Sequence, residues 1–393
     1  MLTQKQQLKA LFPEVENDAQ QISEYLFANP ELGCEEYLAC DYLCDKLSKH
    51  NFKVTKGIYN YNTAFKAEFC SDKPGRTVAF MCEYDALRNI GHGCGHNHIA
   101  AMSAGAGILL SKILKDIGGK IVVFGTPAEE TMGAKVELAK QGAFSEIDAA
   151  MLIHPESYTH RSGVSLAMDS LEFRFFGKSA HAASAPENGI NALDAATLMF
   201  HGVNCMRQHV MSDVRLHGVI KEGGTAPNVV PEYAVVHYYV RARRREYLDV
   251  VVKKVIDCAK GAAIMTGSRL EYFNNEVSYD DMMTNEALSD CFSENLLLAG
   301  EPVVLPMRDS FGSIDMGNVS KVCPSIHSYL AITDVHISGH TREFAEATQT
   351  DRAKIALNRG ILALSFTGYD IIENNELAAM IREEFNAQQQ YQR

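Results

Sequence analysis

Between Met81 and Gly107 an apolar run enters Glu83-Tyr84-Asp85, passes through Gly91-His92-Gly93-Cys94-Gly95-His96-Asn97-His98, and continues into small residues. Thiolate and imidazole are ligands for borderline divalent ions. The glycine between Cys94 and His96 lets the backbone fold tightly enough for both donors to face one point. A free cysteine is more often a small buried hydrophobe, so the Cys-x-His pair carries weight only in company. Gly125-Thr-Pro-Ala-Glu129-Glu130 supplies two adjacent carboxylates. Neighbouring side chains diverge there, so one can ligate a metal while the other faces a substrate water. The competing reading is a pair of surface acids favoured by a helix dipole. His154 follows the apolar run Ala149–Ile153, and His340 stands in Gly339-His340-Thr341-Arg342. Cys94, His96, Glu130, His154 and His340 thus form a mixed set fit for two borderline divalent ions, whose charge a bridging thiolate would partly neutralise. A metal held by such a set lowers the pKa of its water, and a base must reach that water for it to attack.

These donors need strands and loops to carry them. Residues from about Lys5 to Lys49 repeat apolar positions at three- and four-residue steps, as helices do, with a stop at Asn29-Pro30-Glu31-Leu32-Gly33. Strands are expected at Thr63–Phe69, Thr77–Cys82, Lys120–Gly125 and Ala149–Ile153, with helices at Ile99–Leu114 and Ala134–Gln141 between them. Strands alternating with helices imply a layered α/β/α domain with a mostly parallel sheet. In such sheets ligands gather beyond the carboxyl ends of the strands. The clusters Glu83–His98, Pro127–Glu130 and His154–Glu156 each follow a strand, so three loops converge on one face. From Ser170 to Asn274 the order becomes β-α-β-β-α-β, that of a self-contained ferredoxin-like α+β domain. The chain after Asn285 is too short to stand alone. Residues 1–165 and 285–393 therefore read as one catalytic domain, interrupted by an inserted domain at 166–284. The tail from Asn386 to Arg393 reads as frayed.

The length of 393 residues suggests two domains. Apolar content of 46% and charged content of 22% are those of a globular protein. A formal net charge of −12 argues against nucleic-acid or anionic-membrane surfaces. The local exception is Arg241, Arg243, Arg244 and Arg245, read either as a solvated strand end or as a site where one arginine meets a substrate anion. The N-terminus lacks the apolar core of a signal peptide, and no stretch approaches a membrane span. The 10 cysteines show no disulfide framework. The expectation is a cytoplasmic protein.

The motifs resemble, as a set, those of the metal-dependent amidohydrolases and peptidases of family M-twenty, in the branch of hippurate hydrolase, indoleacetyl-amino acid hydrolases, p-aminobenzoyl-glutamate hydrolase and Xaa-Arg type dipeptidases. The matching segments are Glu83-Tyr-Asp-Ala-Leu with Gly-His-Gly-Cys94-Gly-His96-Asn, Pro127-Ala-Glu129-Glu130 and Gly177-Lys-Ser-Ala-His181-Ala-Ala. Asn228-Val-Val-Pro-Glu, Gly312-Ser-Ile-Asp315-Met-Gly-Asn-Val-Ser and His340-Thr complete them, in order over almost the whole chain. The resemblance implies a di-metal peptidase domain with an inserted lid and dimerisation domain, and two divalent ions, zinc or manganese, on Cys94, His96, Glu130, His154 and His340, with Cys94 as bridge. It implies Glu129 as the base that activates the metal-bound water. His181 would act as oxyanion donor reaching into the partner site of a homodimer, and Asn228 and Arg241 would hold the substrate carboxylate. The substrate would be a small N-acyl amino acid, aminobenzoyl-glutamate or dipeptide. The sequence departs from the family's wider His-x-Asp motif, with Glu83-Tyr84-Asp85 in its place; Glu83 and Asp85 are expected to support His96 or the loop backbone. His92, His98, His327 and His336 read as structural. Two other readings compete: a hydrolase with Cys94 as nucleophile, which leaves Glu129, Glu130 and His340 without a role, and a non-catalytic metal-dependent binding protein on the same scaffold.

Overall fold

The computed structural model describes residues 3–308 and 311–390. Ten strands occur among them: β1 (Lys53–Lys56), β2 (Phe65–Cys70), β3 (Thr77–Cys82), β4 (Lys120–Gly125), β5 (Ala149–Glu156), β6 (Ala167–Phe176), β7 (Arg215–Glu222), β8 (Tyr233–Ala242), β9 (Arg269–Asn274) and β10 (Ser325–Ala331). The described residues fall into two compact units. The first runs to Val164 and takes in the chain after Met282 and again after Ile314; the second holds Ser165–Asp281 and Phe311–Ser313. Residues 165 and 311–313, expected in the catalytic domain, thus fall in the second unit, and 282–284, expected in the inserted domain, fall in the first.

In the first unit six strands lie in the order β1-β2-β4-β3-β5-β10. The β4-β3-β5-β10 run is parallel, and β1 and β2 add antiparallel at one edge. Both faces of the parallel run are covered, which is why these strands read as unbroken apolar stretches. Their side chains still alternate. Val78, Phe80 and Cys82 enter one core with Ile121, Val123, Met151 and Ile153, while Ala79 and Met81 enter the other with Val122, Phe124 and Leu152. The first core is closed by helices including Pro13–Ala28, His96–Ile117 and Asp351–Glu373, the second by the short helices Ala134–Lys140 and Met316–Ser320. Helix His96–Ile117 lies almost wholly buried. Its glycines permit this: a Cβ on Gly107 would meet Val123 at 2.7 Å.

Two boundaries differ from expectation. The central helix begins at His96, not Ile99, because the polar residues that suggested a loop are paired inside the fold. Asn97 Nδ2 donates to Ser23 Oγ at 3.0 Å, and His98 Nε2 lies 2.7 Å from the Thr348 carbonyl. At the other end, helix Asn375–Gln390 continues through 386–390, where fraying was expected; residues 391–393 of that tail lie outside the described residues.

The second unit is a four-stranded antiparallel sheet of order β7-β8-β6-β9, the arrangement that a ferredoxin-like β-α-β-β-α-β order produces. Helices Ala192–Met206 and Arg245–Thr266 cover one face, burying Leu171, Phe173 and Phe175 of β6 and Val236, Tyr238 and Val240 of β8. Mostly polar side chains occupy the alternate positions, with Ser170 paired to Tyr239 and Glu172 to His237.

Candidate metal centre

In the first unit the carboxyl ends of the parallel strands bring together donors from four segments. Cys94 sits on the loop between β3 and the central helix, and His96 is that helix's first residue. Gly95, between them, has φ of 84°, and a Cβ there would meet Pro155 at 2.9 Å. Glu129 and Glu130 follow β4. His154 lies within β5, which runs to Glu156, three residues beyond the expected strand end. His340 precedes helix Arg342–Ala347, and its N–H donates to the Gly93 carbonyl at 2.8 Å, tying its loop to that of Cys94.

Cys94 Sγ is 3.3 Å from His154 Nε2 and 3.5 Å from His340 Nε2. Two donor triads, Cys94–His96–His154 and Cys94–Glu130–His340, therefore share the sulfur, and a third, His96–Glu129–Glu130, overlaps both. The hydrogen bonds at the back of each ring set which nitrogen keeps its lone pair. His96 Nδ1 lies 2.9 Å from Asp85 Oδ1 and 3.0 Å from the Asp85 carbonyl. Both are acceptors, so Nδ1 carries a proton and Nε2 is the nitrogen left to face the other donors. Burial opposes a charged ring, but Asp85 and Cys94 outweigh it and hold the imidazole above its usual range, so an ion bound at Nε2 would displace a proton there. His154 Nδ1 is likewise 2.7 Å from the Pro155 carbonyl. Burial holds the His154 imidazole below its usual range, and so neutral.

The residues fit divalent ions on observations of the site itself. His96 Nε2 and Glu130 Oε1 are buried without a hydrogen-bond partner, a costly state that coordination would relieve. Glu130 Oε1 lies 3.3 Å from His340 Nε2, an ion-pair distance without hydrogen-bond alignment. The mixed donors suit borderline ions. Burial and the Glu130 carboxylate push the Cys94 thiol up, the opposite of what activates a cysteine nucleophile.

Glu129 Oε2 is 3.9 Å from His96 Nε2. Burial, Glu83 and Glu130 raise its carboxyl well above the ordinary value. Its loop is held by a residue that sequence reasoning missed. Glu36, fully buried, accepts the Ala128 N–H at 2.7 Å and the Thr63 hydroxyl at 2.9 Å. Ala128 itself has φ of 60°, unusual for a residue with a side chain. Asp85 also grips this loop, Oδ2 accepting the Glu130 N–H at 3.0 Å. Lys135, equally missed, is buried between Glu83 and Asp315. No sequence signal marks it, since a lysine opening a helix reads as solvated; Asp315 stood in a recognised motif without a role.

The remaining site residues expected from sequence belong to the second unit. His181 and Asn228 lie close together, the Ala182 N–H donating to the Asn228 carbonyl at 3.0 Å. Arg241 is on β8, with Nη1 donating to Ser313 Oγ at 3.1 Å and a buried Nε without a partner. Of the other histidines, His98 bonds Thr348, His327 is buried with its ring 5.5 Å from that of His154, and His336 stacks on Tyr158 at 6.2 Å; His92 is buried.

A largely parallel layered domain with sulfur, nitrogen and carboxylate donors at its strand ends, carrying a separate antiparallel α+β unit, defines a metal-dependent hydrolase of amide or peptide bonds. The chain belongs to peptidase family M-twenty. Residues 167–264 match the family's peptidase dimerisation domain. The chain is 34% identical to the Xaa-Arg dipeptidase of Mus musculus, over 94% of this chain and 89% of that protein. It is also 34% identical to a p-aminobenzoyl-glutamate hydrolase chain of Escherichia coli, over 64% of this chain and 56% of that one. A dinuclear metal-binding peptidase of the same family from Bacillus subtilis shares the fold, with a TM-score of 0.68 at 18% identity, covering 91% of this chain and 98% of that one. Among the described residues no helix is long and apolar enough to cross a membrane.

Proposed function

We propose that this protein cleaves the amide bond of a small N-acyl amino acid, aminobenzoyl-glutamate or dipeptide, using two divalent ions, zinc or manganese, held by Cys94, His96, Glu130, His154 and His340. The observation that carries this reading is the single sulfur of Cys94, within 3.5 Å of both His154 and His340 and common to two different donor triads. The 34% identity to an Xaa-Arg dipeptidase along nearly the full chain favours dipeptides with a basic C-terminal residue among the three substrate classes. The thiolate favours the softer ion, zinc, over manganese. When bound, the ions lower the pKa of water and polarise the scissile carbonyl.

Glu129 takes the proton from the attacking water and returns it to the leaving amine, a role suited to a carboxyl whose pKa burial has raised. His181 donates to the oxyanion. Its Nδ1 accepts the N–H groups of Ala183 and Ser184 at 3.3 and 3.1 Å, which leaves the proton on Nε2 as a donor. Asn228 and Arg241 hold the substrate carboxylate, Arg241 with a buried Nε that has donor capacity to spare. The dimerisation-domain match supports a homodimer formed through the inserted lid unit, in which His181 serves the partner's site. We assign the protein to the cytoplasm, in keeping with its free cysteines.

The test is a panel of N-acyl amino acids, aminobenzoyl-glutamate and dipeptides ending in lysine or arginine, with zinc or manganese and with excess chelator. Hydrolysis of at least one member, lost in chelator and restored by metal, is expected. Activity that survives chelator but not thiol alkylation would move the assignment to a Cys94 nucleophile. No turnover of any member with metal present would leave a binding protein.

A further inference from the structure

A charged cluster outside the five donors lies against His96. Lys135 is fully buried in helix Ala134–Lys140. A lysine there keeps its proton only if its charge is matched on the spot. Its Nζ lies 2.7 Å from Glu83 Oε1 and 2.7 Å from Asp315 Oδ1, and its backbone N–H donates to Asp315 Oδ2 at 3.2 Å. Burial works against the ammonium, but Asp315 and Glu83 outweigh it and hold the pKa above the ordinary lysine value. Glu83 and Asp315 are themselves 1% and 0% exposed. One ammonium between two buried carboxylates leaves an excess negative charge in a dry pocket. The second oxygen of Glu83 reaches the donor set: Glu83 Oε2 is 3.5 Å from His96 Nε2, a buried nitrogen without a hydrogen-bond partner.

We propose that Lys135 is a positioning residue of the metal centre, which together with Asp315 clamps Glu83 so that its second oxygen faces the ion held at His96. The inference rests on the proposed reading that Cys94, His96 and His154 hold an ion. Glu83 then supplies fixed negative charge at the His96 end of the centre. The Cys94–Glu130–His340 end draws its carboxylate from Glu130 instead. The clamp therefore acts on one of the two ions selectively, which a lysine serving only to fill space would not do.

The experiment is metal binding to the full-length protein, stripped of metal and titrated with zinc or manganese alone by equilibrium dialysis and metal analysis. Glu83→Gln keeps the side chain's shape and leaves Lys135 matched by Asp315. Lys135→Met removes the ammonium at similar length. Both are expected to weaken one of two binding steps by roughly 10–100-fold, as loss of a group supporting a metal ligand does, with the other step unchanged. Metal-free thermal melts show whether each variant is folded. If Lys135→Met does not fold, Glu83→Gln decides. Wild-type affinity at both steps in folded Glu83→Gln overturns the proposal, as does equal weakening of both. If the wild type itself takes up no ion, the two-ion reading fails, and this inference with it.

Discussion

Asp85 offers a sharp test of how the centre is built, because one carboxylate serves two donors. Oδ1 lies 2.9 Å from His96 Nδ1 and Oδ2 accepts the Glu130 N–H at 3.0 Å. Asparagine has the same shape but only one acceptor oxygen. In Asp85→Asn, one of those two N–H groups must therefore face an NH2. If the amide faces the ring, the Nδ1–H keeps only the Asp85 carbonyl as acceptor and loses the charged partner that fixes the ring. If it faces the loop, the Glu130 N–H is left buried and unpaired, at a cost of about 1–3 kcal/mol. At 1.4 kcal/mol per decade, that is near the 10–100-fold typical of groups supporting a metal ligand. The backbone carbonyl of Asp85, 3.0 Å from His96 Nδ1, survives the change, so the ring keeps one anchor and the centre is weakened rather than abolished. Metal affinity, measured by competition with a chelator, should fall by about 10–100-fold, with an unchanged far-ultraviolet circular dichroism spectrum. Excess ion should restore part of the turnover, since the defect lies in holding the metal. Wild-type affinity in the folded variant would refute the reasoning.

Three further outcomes are expected. Glu129→Gln should keep its metal content yet lose a factor of at least about 10²–10⁴ in kcat, the usual worth of a general base; full turnover in that variant sinks the proposed base. Co-expressed His181→Ala and Glu129→Gln chains, each inactive alone, should regain activity in mixed dimers if His181 serves the partner's site, because one composite site then holds both groups; assays of purified heterodimers that stay inactive exclude the trans role. Burial opposes ionisation of Asp18, but Lys46 at 2.7 Å and His50 at 2.8 Å overcome it and hold the carboxyl below its usual range. Its contribution to stability is therefore full above the unfolded aspartate pKa of about 3.9 and fades as pH falls through the lower folded value. Asp18→Asn should melt earlier than wild type at neutral pH and converge with it in acid; a gap that does not change with pH in thermal melts speaks against this.

Much of the framework is legible in the chain because local periodicity encodes it. The apolar run Thr77–Cys82 announces a strand buried on both faces, and its side chains do divide between two cores. The β-α-β-β-α-β order likewise foretells the antiparallel second sheet. The start of the central helix was misread because His96, Asn97 and His98 look solvated. Their partners, Asp85, Ser23 and Thr348, lie elsewhere in the chain.

By itself, the sequence determined which donors exist and that most of them follow or end strands, since residue type and period are local properties. Only the tertiary structure decided which donors meet. Cys94 and His340 are 246 positions apart, yet their side chains lie 3.5 Å from each other. It also decided which charges leave water. Lys135 and Asp315, 180 positions apart, are a matched buried pair, and nothing in either local stretch records that. The physical reason is that burial and charge matching belong to packing between distant segments, and a buried ionic group persists only where the fold brings it a counter-charge.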